Sequence, residues 1–85
     1  MIKLRPTVAY KKENDMTGFL FSVGDDSNQL IKVSGLINQI AQMLSEGQDY
    51  NSVKAQILNE YDVTEEQFQV DIEGFKKKLQ ELNFI

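Results

Sequence analysis

The last quarter of the chain, Val63 to Leu82, carries a regular apolar pattern that constrains the fold more than any other stretch. On a helix of about 3.6 residues per turn its large apolar side chains fall within about 80° of arc, as one stripe. They are Phe68, Ile72, Phe75, Leu79 and Leu82. Thr64 is placed to cap this helix, and Gln67 completes the pattern of a capping box. The stretch predicts a long amphipathic helix that needs a surface for its stripe.

Length and composition limit the class of protein. The chain has 85 residues, which predicts one domain spanning residues 1–85 with a thin core. Cysteine and histidine are both absent, so the sequence offers no disulfide, no thiolate or imidazole metal ligand and no histidine base. We therefore expect no metal site and no cofactor. With no signal peptide and no membrane-spanning apolar run, the expected location is the cytoplasm.

The first 33 residues carry the alternation typical of strands. Val8 and Tyr10 share one face of the first strand, and Gly18–Val23 forms the second. Gln29–Val33, short and rich in branched residues, forms the third. Between the last two, Gly24–Asn28 predicts a hairpin turn. A calcium loop is the alternative there, but the ligand spacing and flanking helices of an EF-hand are lacking.

Helical signals follow. Ser34 is placed to cap a first helix that ends at Gly47, and Asp49 is placed to cap a second that runs to about Tyr61. The order is therefore β-β-β-α-α-α. This predicts an α+β fold, with a three-stranded antiparallel sheet followed by a three-helix cluster.

Catalysis and nucleic-acid binding are both disfavoured by the residue types present. The chain has no Gly-rich phosphate loop or nucleophile elbow, so we expect no catalytic residue and no enzyme. Nine basic residues stand against 13 acidic ones, a net charge of −4, which disfavours binding to phosphate backbones. The basic run Lys76–Lys78 has two interpretations: a solvated helix face, or contact with an acidic peptide.

Two surfaces remain as candidates for binding. The third strand is predicted to have a free edge, which is either blunted or a template for an incoming strand. On the last helix, Asp71, Gly74 and Lys78 lie beside the apolar stripe. Because glycine within a helix is unfavourable by roughly 1 kcal/mol, Gly74 needs a reason. Either it lets another element of the same domain approach, or it leaves room for a partner backbone.

Taken in order, these features resemble the PqqD-like family, the RiPP recognition elements of ribosomal-peptide biosynthesis. The resemblance covers nearly the whole chain, and its last part is the spacing Asp71-x-x-x-Phe75-x-x-x-Leu79 in the final helix. One departure is Val33-Ser34-Gly35-Leu36-Ile37, where the family often has Leu-Asn-x-Thr-Gly. The other matching segments are Arg5-Pro6-x-Val8, Phe19-Leu20-Phe21, Leu30 to Ser34, Gly47, Val53, Ile57, Leu58 and Glu60-Tyr61-Asp62-Val63.

The resemblance implies a winged-helix-like domain without catalysis. Such domains bind the leader segment of a precursor peptide as an antiparallel strand added to the third strand, in a groove against the last helix. They present it to a modifying enzyme, such as a radical S-adenosylmethionine maturase or a leader peptidase. On this basis the predicted peptide-binding residues are Gln29, Leu30, Ile31, Lys32, Val33, Asp71, Ile72, Gly74, Phe75, Lys78 and Leu79.

Two other functions stay open: a winged-helix DNA-binding transcriptional regulator, and a structural subunit of a larger complex. The first requires a basic face and binding that weakens steeply with salt. For the peptide-binding hypothesis, we expect Ile31→Pro to abolish binding by removing a donor from the free strand edge.

Overall fold

The computed structural model describes residues 2–23 and 29–85. Three strands are followed by three helices, which confirms the predicted α+β order. The elements are β1 (Val8–Lys12), β2 (Thr17–Ser22), β3 (Leu30–Ser34), α1 (Gly35–Ser45), α2 (Tyr50–Glu60) and α3 (Glu65–Glu81). The predicted turn at Gly24–Asn28 lies outside the described residues.

The sheet is antiparallel with strand order β1-β2-β3, so β2 is central. Leu20 of β2 stands opposite Tyr10 on one side and Ile31 on the other. Since successive side chains point to opposite faces, Leu20 and Val33 are buried against the helices while Phe19 faces outward.

The third strand lies one residue later than predicted, and it runs straight into α1. Gly35 has φ +58°, a left-handed conformation that glycine adopts without strain, and its N–H donates to the Met16 carbonyl over 2.8 Å. The chain therefore changes from strand to helix without a loop. Ser34 occupies the predicted cap position, but its side chain makes no capping bond, so that part of the prediction is wrong.

The other two helices are capped as predicted. Asp49 accepts a hydrogen bond from the Ser52 N–H over 2.8 Å, and Thr64 accepts one from the Gln67 N–H over 3.0 Å. The reciprocal half of the expected capping box is not made. The side-chain amide nitrogen of Gln67 donates to Oδ1 of Asp71 over 3.0 Å. This bond orients a carboxylate on the flank of α3.

The apolar stripe of α3 forms one wall of the core. Phe68, Ile72, Phe75 and Leu79 are all buried, together with residues from the sheet and from α1 and α2. One polar residue, Asn38 of α1, is buried with them at 0% exposure, which the sequence did not signal. Its Oδ1 accepts a hydrogen bond from the Tyr10 hydroxyl over 2.6 Å.

The N-terminal segment packs against the end of the chain. Ile2 is buried, the Arg5 N–H donates to the Phe84 carbonyl over 2.9 Å, and the Arg5 Nε donates to the Ile85 carbonyl over 3.3 Å. Pro6 lies in a turn closed by the Val8 N–H and the Arg5 carbonyl, and the first strand begins two residues later, at Val8. Within residues 2–23 and 29–85, no helix is long and apolar enough to cross a membrane.

Candidate functional site

An open groove of about 380 Å³ separates β3 from α3. It brings together the two surfaces that the sequence singled out, which only the family resemblance predicted to be neighbours. Its lining residues come from the edge strand, the first turn of α1 and one flank of α3. They are Ile31, Lys32, Val33, Ser34, Ile37, Val70, Asp71, Gly74, Phe75 and Lys78.

The backbone groups of β3 that face the groove follow from the register with β2. The Ser22 N–H donates to the Gln29 carbonyl, and the Gly35 N–H donates to the Met16 carbonyl, at either end of an unbroken register. In an antiparallel ladder the residues that bond a neighbouring strand alternate along the chain. Odd-numbered residues from 29 to 35 therefore bond β2, and the N–H groups of Leu30, Lys32 and Ser34 point away from it.

The alternation of hydrogen-bonded residues along β3 corrects the expectation that Ile31 donates from the free edge. Ile31 stands opposite Leu20 in a hydrogen-bonded position, so its N–H belongs to the β2–β3 ladder and not to the free edge. Ile31→Pro would damage the sheet itself. The central edge donor is Lys32, and no fourth strand pairs with β3 in the part of the chain that the structure describes.

The groove has an apolar floor and a mixed rim. Val33 and Phe75 are 3% and 5% exposed, and Ile37 is half-buried above them. Val70 stands on the rim with 66% of its surface exposed. An extended chain lying here would cover apolar surface on one side and meet backbone donors on the other.

Gly74 lies on the α3 side of the groove and is exposed. A Cβ built on it would meet no atom within 4 Å. Of the two explanations of Gly74, close approach by another element of the same domain is therefore wrong for the described residues. Its lack of a side chain leaves open space in the groove.

Charged groups flank that space. Asp71 is half-buried and held by the Gln67 side chain, while Lys78 is exposed and forms no salt bridge with any described residue. The basic run is divided, since Lys78 lines this groove but Lys76 and Lys77 line a separate depression.

Lys32 is anchored from the outer face of the sheet. Its ammonium lies 3.3 Å from Oε1 of Glu13 and 6.0 Å from the centre of the Phe19 ring. The Thr17 hydroxyl donates to Oε1 of Glu13 over 2.6 Å, and this bond, followed by Lys32, holds the pKa of the Glu13 carboxyl below its usual value. The Lys32 side chain is thus turned to the outer face, and only its backbone is presented at the edge.

Four predicted contact residues lie outside the groove lining. Ile72 and Leu79, 2% and 0% exposed, belong to the core beneath α3. Gln29 precedes β3, and Leu30 turns its side chain to the outer sheet face, where it lines a depression with Phe19 and Phe21.

Three lining residues were missed: Ser34, Ile37 and Val70. Val70 had a signal in the sequence, because it is an apolar residue away from the helix stripe. The sequence marks Ile37 only as one of several apolar residues of α1. Within the described ranges, no group of three or more acidic, histidine or cysteine side chains is placed to hold a metal ion.

A comparison with solved structures finds the same fold in TbiB1, whose structure was determined in complex with the TbiA(beta) leader peptide. The TM-score is 0.76, and the match covers 98% of this chain and 93% of that chain at 18% sequence identity. No family model and no curated protein sequence matches the chain.

Proposed function

We propose that this chain is a non-catalytic binding module that captures the leader segment of a ribosomally made precursor peptide and presents it to a modifying enzyme. The carrying observation is the row of edge N–H groups of β3 beside an open, apolar-floored groove. The fold shared with TbiB1 supports the choice of a leader peptide as occupant. In this proposal the chain acts as a RiPP recognition element.

The edge supplies affinity with little dependence on sequence. An antiparallel strand beside β3 would bond the backbone groups of Leu30 and Lys32 and the N–H of Ser34, because the Ser34 carbonyl begins the α1 helix. A typical net contribution is about 0.5–1.5 kcal/mol for each hydrogen bond. Side chains that reach the groove floor then add selectivity.

Direct contacts in this proposal come from both sides of the groove. On β3 they are the backbone groups of Leu30, Lys32 and Ser34 and the inward side chains of Ile31 and Val33. On α3 they are Asp71, Gly74, Phe75 and Lys78, joined by Ile37 and Val70. Ile72 and Leu79 hold the helix in place and do not touch the peptide.

Presentation requires that the bound peptide stay reachable. Because the groove is an open surface cleft, a peptide lying in it keeps one side towards solvent. A radical S-adenosylmethionine maturase or a leader peptidase could therefore act on the chain that continues beyond the bound segment. In this role the module positions the peptide, and the partner enzyme carries out the reaction.

The test uses short peptides encoded beside this gene, as candidate precursors, and the matched variants Lys32→Pro and Lys32→Ala. Proline removes the central edge N–H and fills its position, while alanine removes the same side chain and keeps the N–H. We expect Lys32→Pro to lose peptide binding in a calorimetric titration, and Lys32→Ala to bind within a few-fold of the unmodified chain. Both should keep the circular dichroism spectrum of the fold.

Chemical shifts then locate the peptide. Amide shifts confined to β3, the start of α1 and the Val70–Lys78 flank support the proposal. Equal binding by both Lys32 variants would rule out strand addition, and salt-sensitive binding to duplex DNA in place of the peptide would favour a regulator.

A further inference from the structure

The α3 side of the groove presents three chemically different positions in sequence, and these would select among leader peptides. Asp71, Gly74 and Lys78 follow one another along the groove wall, all three on its lining. At about 1.5 Å per residue, Asp71 lies about 4.5 Å and Lys78 about 6 Å along the axis from Gly74. An anionic group, an empty position and a cationic group are thus arranged in series.

The empty position lies beside apolar surface. Gly74 has no neighbour within 4 Å of a built Cβ, and the floor beside it is formed by Val33, Ile37 and Phe75. Alanine would favour the helix more than glycine does, so local helix stability does not account for Gly74. The space suits a large apolar side chain that covers the floor.

The two charged positions are available to a ligand. Oδ1 of Asp71 accepts from Gln67, and a carboxylate has a second oxygen that can accept from a cation. Lys78 forms no salt bridge with a described residue. Side chains on one face of an extended strand recur about every 6.8 Å. That spacing is close to the distance of about 6 Å from Gly74 to Lys78, and it exceeds the distance of about 4.5 Å to Asp71 by about 2 Å, a difference that a long basic side chain can span.

We propose that the groove selects a leader segment with a bulky apolar side chain over Gly74. This proposal rests on the proposed strand addition. A basic side chain lies two residues to one side of the apolar residue, against Asp71, and an acidic one two residues to the other side, against Lys78. Because the strand is antiparallel to β3, its direction is fixed, and the order of the two charges along the peptide is fixed with it. Exposed ion pairs contribute little, so each charge should change affinity up to about fivefold, with the apolar residue dominating.

The test is selection from a phage-displayed library of random 12-residue peptides on the purified chain. The unmodified chain should enrich peptides with a large apolar residue flanked at two-residue spacing by opposite charges in one order. Gly74→Leu should move the central preference to Gly, Ala or Ser. The pair Asp71→Lys with Lys78→Glu should enrich the reverse charge order.

Matched variants keep the result interpretable. Gln80→Leu adds a leucine to an exposed position of α3 that does not line this groove, and it should leave the enriched pattern unchanged. Gly74→Ala adds a single methyl group and favours the helix, so it should give a partial shift of the central preference if leucine disturbs the fold.

The variant Lys32→Pro distinguishes failure of this inference from failure of the proposed function on which it depends. Suppose that Lys32→Pro abolishes peptide capture, but the Gly74 and charge variants still enrich the original pattern. The proposed preference for an apolar residue between two charges is then overturned, while strand addition is retained. If the unmodified chain enriches no peptide, or Lys32→Pro captures the same peptides, the proposed function itself is overturned.

Discussion

The Tyr10 hydroxyl donates a 2.6 Å hydrogen bond to Oδ1 of Asn38, and this contact joins the first strand to the first helix inside the core. Gly18 of the central strand lies beneath both side chains. A Cβ built there would approach the Tyr10 hydroxyl to 2.5 Å and the Asn38 Oδ1 to 2.7 Å. Because Gly18 stands opposite Val33 of the groove floor, this contact supports the sheet directly under the candidate site.

Gly18→Ala should therefore destabilise the fold by about 1–3 kcal/mol, the usual range for overpacking a core. Asn38 is fully buried, so it has little freedom to move aside. Urea denaturation followed by circular dichroism measures the change. An unchanged free energy of unfolding would show that Tyr10 and Asn38 rearrange without cost.

The Tyr10–Asn38 bond can be examined with a double-mutant cycle. Tyr10→Phe should lower the free energy of unfolding by about 1–3 kcal/mol, because it leaves the buried Asn38 oxygen without its partner. Asn38→Leu also removes Nδ2, which has no partner in the described residues. The combined variant should be less destabilised than the sum of the two, with a coupling of about 0.5–3 kcal/mol. Strict additivity would contradict this.

The helix caps offer a matched pair. Thr64→Ala removes a side-chain bond to the Gln67 N–H and should lower stability by about 0.5–2 kcal/mol. Ser34→Ala, at a cap position whose side chain makes no such bond, should have nearly no effect. Both are measured by urea denaturation, and equal losses would mean that the Ser34 hydroxyl contributes in a way the structure does not show.

Two glycines should respond to alanine in opposite directions. Gly74→Ala should stabilise the chain by about 0.5–1 kcal/mol, since the site is open and helical. Gly47→Ala places a side chain at φ +91° and should destabilise it by about 1 kcal/mol or more. Thermal unfolding distinguishes them, and a loss at Gly74 would mean that its space is already occupied by part of this chain.

The hydrogen bond from the Thr17 hydroxyl, followed by the contact with Lys32, lowers the pKa of the Glu13 carboxyl. Because the pKa of this carboxyl is lower in the folded chain, its contacts stabilise the fold above the ordinary glutamate pKa of about 4.3. That contribution is lost as pH falls through the folded pKa. Thr17→Val should raise the pKa of Glu13 towards its usual value, while Thr17→Ser, which keeps the hydroxyl, should not. Carboxyl carbon shifts in an NMR pH titration report both, and an unmoved pKa in Thr17→Val would assign the shift to Lys32.

Local patterns predicted the elements well, since each depends on residues close in sequence. The α3 stripe, the caps at Asp49 and Thr64 and the stop at Gly47 were all recognisable. Relationships between distant residues were not. The Tyr10–Asn38 bond spans 28 residues, and nothing near Asn38 marks it as buried.

In the candidate site, too, local features were predictable from the sequence and contacts between distant elements were not. Asp71, Gly74 and Lys78 were found on the helix wheel, but the wheel does not show what faces them. The direction of the β3 donors was predicted wrongly because it depends on pairing with β2. Within an isolated strand, Ile31 and Lys32 are equally plausible donors, and only the register decides between them.

Under the proposed strand addition, the alternation of edge donors on β3 would decide which residues of a bound peptide face the groove. A peptide can shift along the edge by two residues and remake equivalent hydrogen bonds, whereas a shift by one would turn its groove-facing side chains outward. One residue inserted inside the bound segment should therefore scramble recognition for everything beyond it. The same insertion downstream would only lengthen the tether to the enzyme. If the proposed function holds, leader sequences that bind this module should vary freely in spacer length but keep an even spacing between the residues that face the groove.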